Sequence, residues 1–302
     1  MTDFVAAHPS NCVGCLGCEK PKSDNKFVRG LLTAKFGGGF SSVKPRRSGT
    51  GRIKYTLPTE RVPTPTSDRL VIQIGTGEQC GKELKVSGPR AKKYADRCGA
   101  DYLSITHGHF RRWPMASKWR ASTYARHYQQ TVFLDTDVLI ADDAPNLFDQ
   151  SQGWGGFDEM PSFVEQNNRD ALNPDARKIC DQQGVNAIHL TRSFNGGILL
   201  IPGESCHLYS PPAEPFEPIW ILDQVWLTLS LLRERMPITW FSPDWYSAFI
   251  DSDFWSTWDK RPFVHMNGCQ HKCTRLDLMK LWDRGIYRKQ EPPGGYWRPR
   301  RK

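Results

Sequence analysis

The sequence has no run of about 18 apolar residues, the length a helix needs to cross a bilayer. Its first residues, Met1-Thr2-Asp3-Phe4, lack the basic then apolar layout of a secretion signal, so a cytoplasmic location is expected. Nine cysteines without such a signal argue against a disulfide framework. Cys80, Cys98, Cys180 and Cys206 are scattered and read as small core residues or idle thiols. No internal repeat is present. What remains is 302 residues, 38% hydrophobic and 24% charged, the composition of an ordinary globular protein with room for one large α/β domain and appendages.

The formal charge of +9 is unevenly spread. Residues 1–67 carry +7 and residues 286–302 carry +5, whereas 68–285 carry −3. The expected organisation is therefore a basic N-terminal arm (1–67), a slightly acidic folded domain (68–285) and a basic C-terminal tail (286–302). Such tails can hold a protein near nucleic acid or another anionic polymer, or simply remain solvated. The arm also carries Cys12-x-x-Cys15-x-x-Cys18, a spacing that suits Zn²⁺ or part of an iron–sulfur site if a fourth ligand such as His8, Cys269 or Cys273 folds back. Unliganded thiols are the plain alternative.

Order is expected from Arg69. Leu70–Ile74 is a buried strand bounded by Gly75-Thr76-Gly77, Pro89–Arg97 has helical character, and Asp101–Ile105 is a second strand. A helix over about 115–128 follows, then a third strand, Thr131–Leu134, that runs into Asp135. Strand–helix–strand–helix–strand within some 65 residues implies a doubly wound, mostly parallel sheet flanked by helices. Ligands bind beyond the carboxyl ends of such strands, where Gly75-Thr76-Gly77 and Asp135-Thr136-Asp137 both lie. Further on, Ile198–Ile201 reads as a strand, Asp223–Arg235 as an amphipathic helix and Leu276–Trp282 as a short helix. The aromatic stretch from Trp240 to Trp258 reads as core or as an acceptor-stacking surface.

Two aspartates two apart on an extended chain point to opposite faces, but where a strand ends and the backbone turns both can reach one cation. Burying two like charges after four apolar residues is costly unless a metal neutralises them. A loop with two solvated acids is the alternative. In a phosphatase of the haloacid-dehalogenase pattern the first Asp belongs on the first strand, and here two strand–helix units precede it.

The run Tyr124-Ala125-Arg126-His127-Tyr128 … Thr131-Val132-Phe133-Leu134-Asp135-Thr136-Asp137-Val138-Leu139-Ile140 resembles the helix, strand and Asp-x-Asp of GT-A glycosyltransferases. It is most similar to glycosyltransferase family 8, the glycogenin and lipopolysaccharide galactosyltransferase group. Phe194-Asn195-Gly196-Gly197, Asp223-Gln224 and His265-x-x-Gly268 resemble three further pieces of that family in the same order. The resemblance spans about 69–285 and implies the GT-A nucleotide-diphospho-sugar transferase fold. It also implies transfer of a hexose from a nucleotide-sugar donor, a UDP-sugar being favoured, to a glycan, protein or lipid acceptor, with retention.

By the same resemblance Asp135, Asp137 and His265 hold Mn²⁺ or Mg²⁺. Ile74, Gly75 and Thr76 pack against the base, or Gly75 and Thr76 simply make a tight turn, while Thr136 and Gly268 lie on the donor side. Asp223 stabilises the oxocarbenium centre with Gln224 beside it, and Asn195 meets sugar hydroxyls. An N-cap for the following helix is the other reading of Asp223, and a turn residue that of Asn195. Lys118 or Arg120 reaches ribose or phosphate, or lies on an exposed helix face. The family's diphosphate lysine is displaced by one position to Lys272, beside His271, so either residue or neither takes that part. Two other readings are a non-catalytic binding protein of the same fold and a sugar-phosphate nucleotidyltransferase.

Overall fold

The computed structural model describes residues 52–108, 110, 113–159, 174–186, 190–219, 221–249, 254–267 and 272–285. Cys12, Cys15, Cys18, His8, Gly268, Cys269, His271 and the tail 286–302 lie outside the described residues, as does the side chain of Cys273. No helix among the described residues is long and apolar enough to cross a membrane.

The chain is α/β, with a central, mostly parallel sheet flanked by helices. Strands β1 (Arg69–Ile74), β2 (Asp101–Ile105) and β3 (Gln130–Leu134) are mutually parallel. The long strand β6 (Phe194–Pro202) runs antiparallel between β3 and β5 (Trp154–Asp158), and β7 (Ile238–Trp240) pairs parallel with β5. The order is β2-β1-β3-β6-β5-β7. A second sheet, β4-β9-β8, contains β4 (Val138–Ile140), β8 (Tyr246–Ala248) and β9 (Phe263–His265). All residues of β3 and β6 are buried, the polar Gln130, Thr131 and Asn195 included, because these central strands are covered on both faces.

Helix α1 covers Glu78–Cys98 and so begins well before Pro89. Its first half buries Glu83, Ser87 and Gly88 with Leu84 as the one large apolar residue among them, so the inward face there shows no apolar period. Gly99, at φ 65°, ends it in the left-handed region open to glycine. The helix expected over about 115–128 is a 3-10 helix, Pro114–Arg120, followed by the short α2 (Ala121–Ala125). Ala116, Ser117, Lys118, Trp119 and Arg120 are all buried, and five consecutive residues cannot share one face of an ordinary α-helix. The later helices are α3 (Pro174–Gln182), α4 (Leu222–Arg233), α5 (Phe254–Thr257) and α6 (Lys272–Asp283).

Order begins before Arg69. Ile53 and Phe216 exchange backbone hydrogen bonds of 2.8 and 2.9 Å, and Tyr55 packs its ring on Phe110 and Trp119. Glu60 pairs with the fully buried Arg120 and accepts from Tyr124 Oη at 3.0 Å. These anchors sit among Pro, Thr and basic residues, so no periodicity announces them. In the aromatic stretch Phe241, Tyr246, Phe254 and Trp258 are buried, and Tyr246 stacks on Phe157 with ring centroids 4.6 Å apart. Cys98, Cys180 and Cys206 are buried free thiols, and Cys80 is half-buried.

Candidate metal centre

The chain leaves the large sheet at Leu134 and enters the small one at Val138, and Asp135-Thr136-Asp137 makes the change. The Asp135 amide donates to Gly197 O at 2.8 Å, on β6, while Asp137 O accepts from the Met266 amide at 3.0 Å, just past β9. Each aspartate is thus held by a different sheet, which frees the pair from strand alternation and lets both face one point. That point lies beyond the carboxyl ends of β1 and β3.

His265 closes the centre. It pairs with Val138 across the small sheet, and its Nε2 lies 3.2 Å from Asp137 Oδ1 and 3.7 Å from Asp135 Oδ2. Its Nδ1 is 2.9 Å from the hydroxyl of Tyr246. Gly197 makes room for the ring, because a Cβ there would fall against the imidazole. One ligand atom from each of Asp135, Asp137 and His265 lies within 4.8 Å of the other two, a spread that one ion can span. Two carboxylates and an imidazole suit a hard or borderline divalent cation.

Buried cations stand beside these ligands. Lys118 Nζ donates to Asp135 Oδ2 at 2.7 Å and to Gly196 O at 3.3 Å, and lies 3.5 Å from Asp223 Oδ2. Arg275, on α6, reaches Asp137 Oδ2 and Glu83 Oε1, both at 2.8 Å. Counted as formal charges with His265 neutral, the four carboxylates (Asp135, Asp137, Asp223, Glu83) face two cations, a balance of −2 that one divalent ion would cancel. The donor set and the charge both fit a dication.

The same charges set the ionisation of the cluster. Burial alone would raise Asp137, but His265 and Arg275 outweigh it and hold the carboxyl below the usual range. Burial likewise opposes the charged forms of His265 and Lys118. Asp137 and Asp135 nevertheless push His265 up to about 9, and Asp135 and Asp223 push Lys118 up. Asp223 is raised by burial, with Lys118 acting against it.

Asp223 lies in the first turn of α4, whose N-cap is Ile221 with no side-chain capping bond. Neither carboxylate oxygen of Asp223 has a hydrogen-bond partner among the described residues, although the group is 1% exposed. It is therefore no helix cap. Gln224 accepts from the Gly196 amide at 2.9 Å and donates to Glu159 at 2.9 Å, so both ends of its amide are engaged. Asn195 Oδ1 accepts from the Gly197 amide at 2.9 Å, a turn-type bond two residues along the chain.

Other expected contacts point elsewhere. Thr136 turns its hydroxyl to Glu83 at 2.7 Å, and its carbonyl accepts from Ser87 at 2.7 Å. Gly75 is small because a Cβ would strike Thr136 and Leu84, and Thr76 faces Ser117. Ile74 is a buried end of β1. Lys118 and Arg120 are both buried, the former between acids of the centre and the latter on Glu60. Lys272 opens α6, and its side chain lies outside the described residues. Sequence reasoning missed Glu83, Glu159, Tyr246, Asn267 and Arg275. A basic residue three places beyond Lys272, one helical turn on, was the signal available for Arg275.

No family model matches the chain, and no curated protein matches it. Among solved structures it is similar to a glycosyltransferase involved in the glycosylation of the major capsid of PBCV-1, at 11% identity over 70% of this chain and 98% of that one (TM-score 0.47). It is also similar to the apo bifunctional WbbM glycosyltransferase, at 13% identity over 80% and 53% (TM-score 0.48). A third likeness is to the galactosyltransferase LgtC in complex with donor and acceptor sugar analogues, at 11% over 75% and 98% (TM-score 0.39).

Proposed function

We propose that the protein is a metal-dependent glycosyltransferase of the GT-A type, similar to glycosyltransferase family 8. It moves a hexose from a nucleotide-diphosphate donor, a UDP-sugar by preference, to an acceptor hydroxyl with retention. The observation that carries this reading is the convergence of Asp135, Asp137 and His265 on one point, with Asp223 held across Lys118 from it.

In this reading Asp135, Asp137 and His265 hold Mn²⁺ or Mg²⁺, which as a Lewis acid supplies charge stabilisation for a departing diphosphate. Lys118 acts against the burial that raises Asp223 and lies between it and Asp135. The Asp223 carboxylate, free of hydrogen bonds to the described residues, is available to a developing positive charge on the sugar. Gln224 holds Gly196 under it, and Asn195 orders the turn that admits the His265 ring. By the family resemblance Ile74, Gly75 and Thr76 would border the donor base, and Gly268 and Lys272 would serve the diphosphate.

The test is a thermal-shift panel of UDP-glucose, UDP-galactose, UDP-N-acetylglucosamine and GDP-mannose with and without Mn²⁺, followed by donor hydrolysis. At least one donor should stabilise the protein in a Mn²⁺-dependent way, and Asp135→Ala should abolish both that shift and hydrolysis. Binding and hydrolysis that survive Asp135→Ala would overturn the reading.

A further inference from the structure

We infer that Glu159 is a positioning residue of this centre, acting through Gln224 and Gly196 on Lys118; its effect on turnover rests on the transferase reading above. Glu159 follows β5, just beyond a register shift between Gly156 and Asp158, and its amide donates to Ser193 O at 2.8 Å. Such irregularities re-aim the side chains next to them. Here the result is a carboxylate only 6% exposed, turned toward the start of α4.

Glu159 Oε2 accepts from Gln224 Nε2 at 2.9 Å, and its Oε1 accepts from Asn267 Nδ2 at 3.0 Å. A primary amide has a donor end and an acceptor end, whereas an ionised carboxylate only accepts. Glu159 therefore decides which way Gln224 faces. With Nε2 committed to Glu159, Gln224 presents Oε1 to the Gly196 amide at 2.9 Å. The opposite orientation would set an NH₂ against that N–H. The carbonyl of the same Gly196 accepts from Lys118 Nζ, and Lys118 is the ammonium shared by Asp135 and Asp223.

Packing leaves this chain of bonds little slack. A Cβ on Gly196 would come within 2.9 Å of both Asp223 Oδ2 and Gln224 Oε1. The first turn of α4 is thus pressed onto β6 at the point where Glu159 fixes the amide. Asn267 stands two residues beyond His265, so one carboxylate ties the helix bearing Asp223 to the segment bearing the histidine. It sets the spacing between the two halves of the centre without being placed to touch the metal ligands themselves.

Two variants test this in the full chain. Glu159→Met removes both acceptors at similar volume. The reversed pair Glu159→Gln/Gln224→Glu conserves the charge and all three bonds, with one donor and one acceptor exchanged. The Met variant should raise hydrogen exchange at the Gly196 amide by about tenfold, the worth of one hydrogen bond. It should also lower kcat for Mn²⁺-dependent donor hydrolysis by roughly tenfold to a hundredfold with little change in KM. The reversed pair should restore the slow exchange of the Gly196 amide. Unchanged exchange at Gly196 in the Met variant, unchanged kcat in that variant, or a Gly196 amide that exchanges as fast in the reversed pair as in the Met variant would each overturn the inference. If the wild-type protein hydrolyses no donor of the panel, the transferase reading fails, and the exchange measurement still decides the positional link.

Discussion

The buried ammonium of Lys118 lies 2.7 Å from Oδ2 of the half-buried Asp135, at the edge of the centre. The same ammonium is 3.5 Å from the buried Asp223, so removing it takes the nearest permanent cation from both carboxylates. Lys118→Met is expected to destabilise the protein by about 3–5 kcal/mol, the cost of breaking a buried ion pair. It also takes the charge balance from −2 to −3, so Mn²⁺ should raise the Tm of the variant more than that of the wild type. Differential scanning calorimetry with and without Mn²⁺ measures both effects.

Metal binding should release a proton. His265, pushed up to about 9, must become neutral to ligate a cation. Apparent Mn²⁺ affinity should therefore rise about tenfold per pH unit from pH 7 and level off above about 9. The metal-free protein shows the opposite trend. The folded pKa lies above the unfolded value of about 6.5, so this stabilisation is complete below that value and lost as pH rises through about 9. Calorimetric titration in two buffers of different ionisation enthalpy counts the proton, and a pH-independent affinity would contradict the assignment of His265 as a ligand.

Tyr246 aims that imidazole. With Nε2 turned to the aspartates, Nδ1 faces the phenol at 2.9 Å, the arrangement in which a neighbour fixes a ligand's tautomer. Tyr246→Phe keeps the ring that stacks on Phe157 and removes only the hydroxyl. Mn²⁺ affinity should fall by about 10- to 100-fold with little change in urea midpoint.

Glu60 tests whether the segment before Arg69 belongs to the domain. Glu60→Ala strands Arg120, which is fully buried, and should cost about 3–5 kcal/mol in urea unfolding. Burial would raise the Glu60 carboxyl, but the Arg120 bond outweighs it and lowers the pKa. The contribution is therefore present above about 4.3 and lost as pH falls through the lower folded value. An unchanged midpoint for the variant at pH 7 would detach the segment from the fold.

Four strands of the large sheet were legible, because β1 and β3 are apolar runs bounded by glycine or aspartate, β2 is a short run between helices, and the apolar half of β6 follows Asn195-Gly196-Gly197. Strand β5, with its paired glycines, and the three-residue β7 were not. Nor was the small sheet. Its strands are three residues each, and they exist through pairings such as Val138 with His265 that no local pattern encodes. In the centre, Asp135, Asp137, His265 and Asp223 were marked by their neighbours in sequence. Glu83, Glu159 and Arg275 are single charged residues whose partners lie far along the chain, and only the folded backbone brings them in. Lys118 and Thr136 were picked out, but packing turned both side chains inward to Asp135 and Glu83.

Asp137 and Arg275 are 138 residues apart, and His265 also lies 128 residues beyond Asp137, on the last strand among the described residues. A ribosome adding 5–20 residues per second takes roughly 7–28 s to cover that distance. Through that interval β1, β2 and β3 are already available to pair, while Asp137 waits without its guanidinium or imidazole. The cluster is thus completed only after the strands that carry it, and a chain stopped between Trp240 and Arg275 has every strand of the large sheet without the whole cluster.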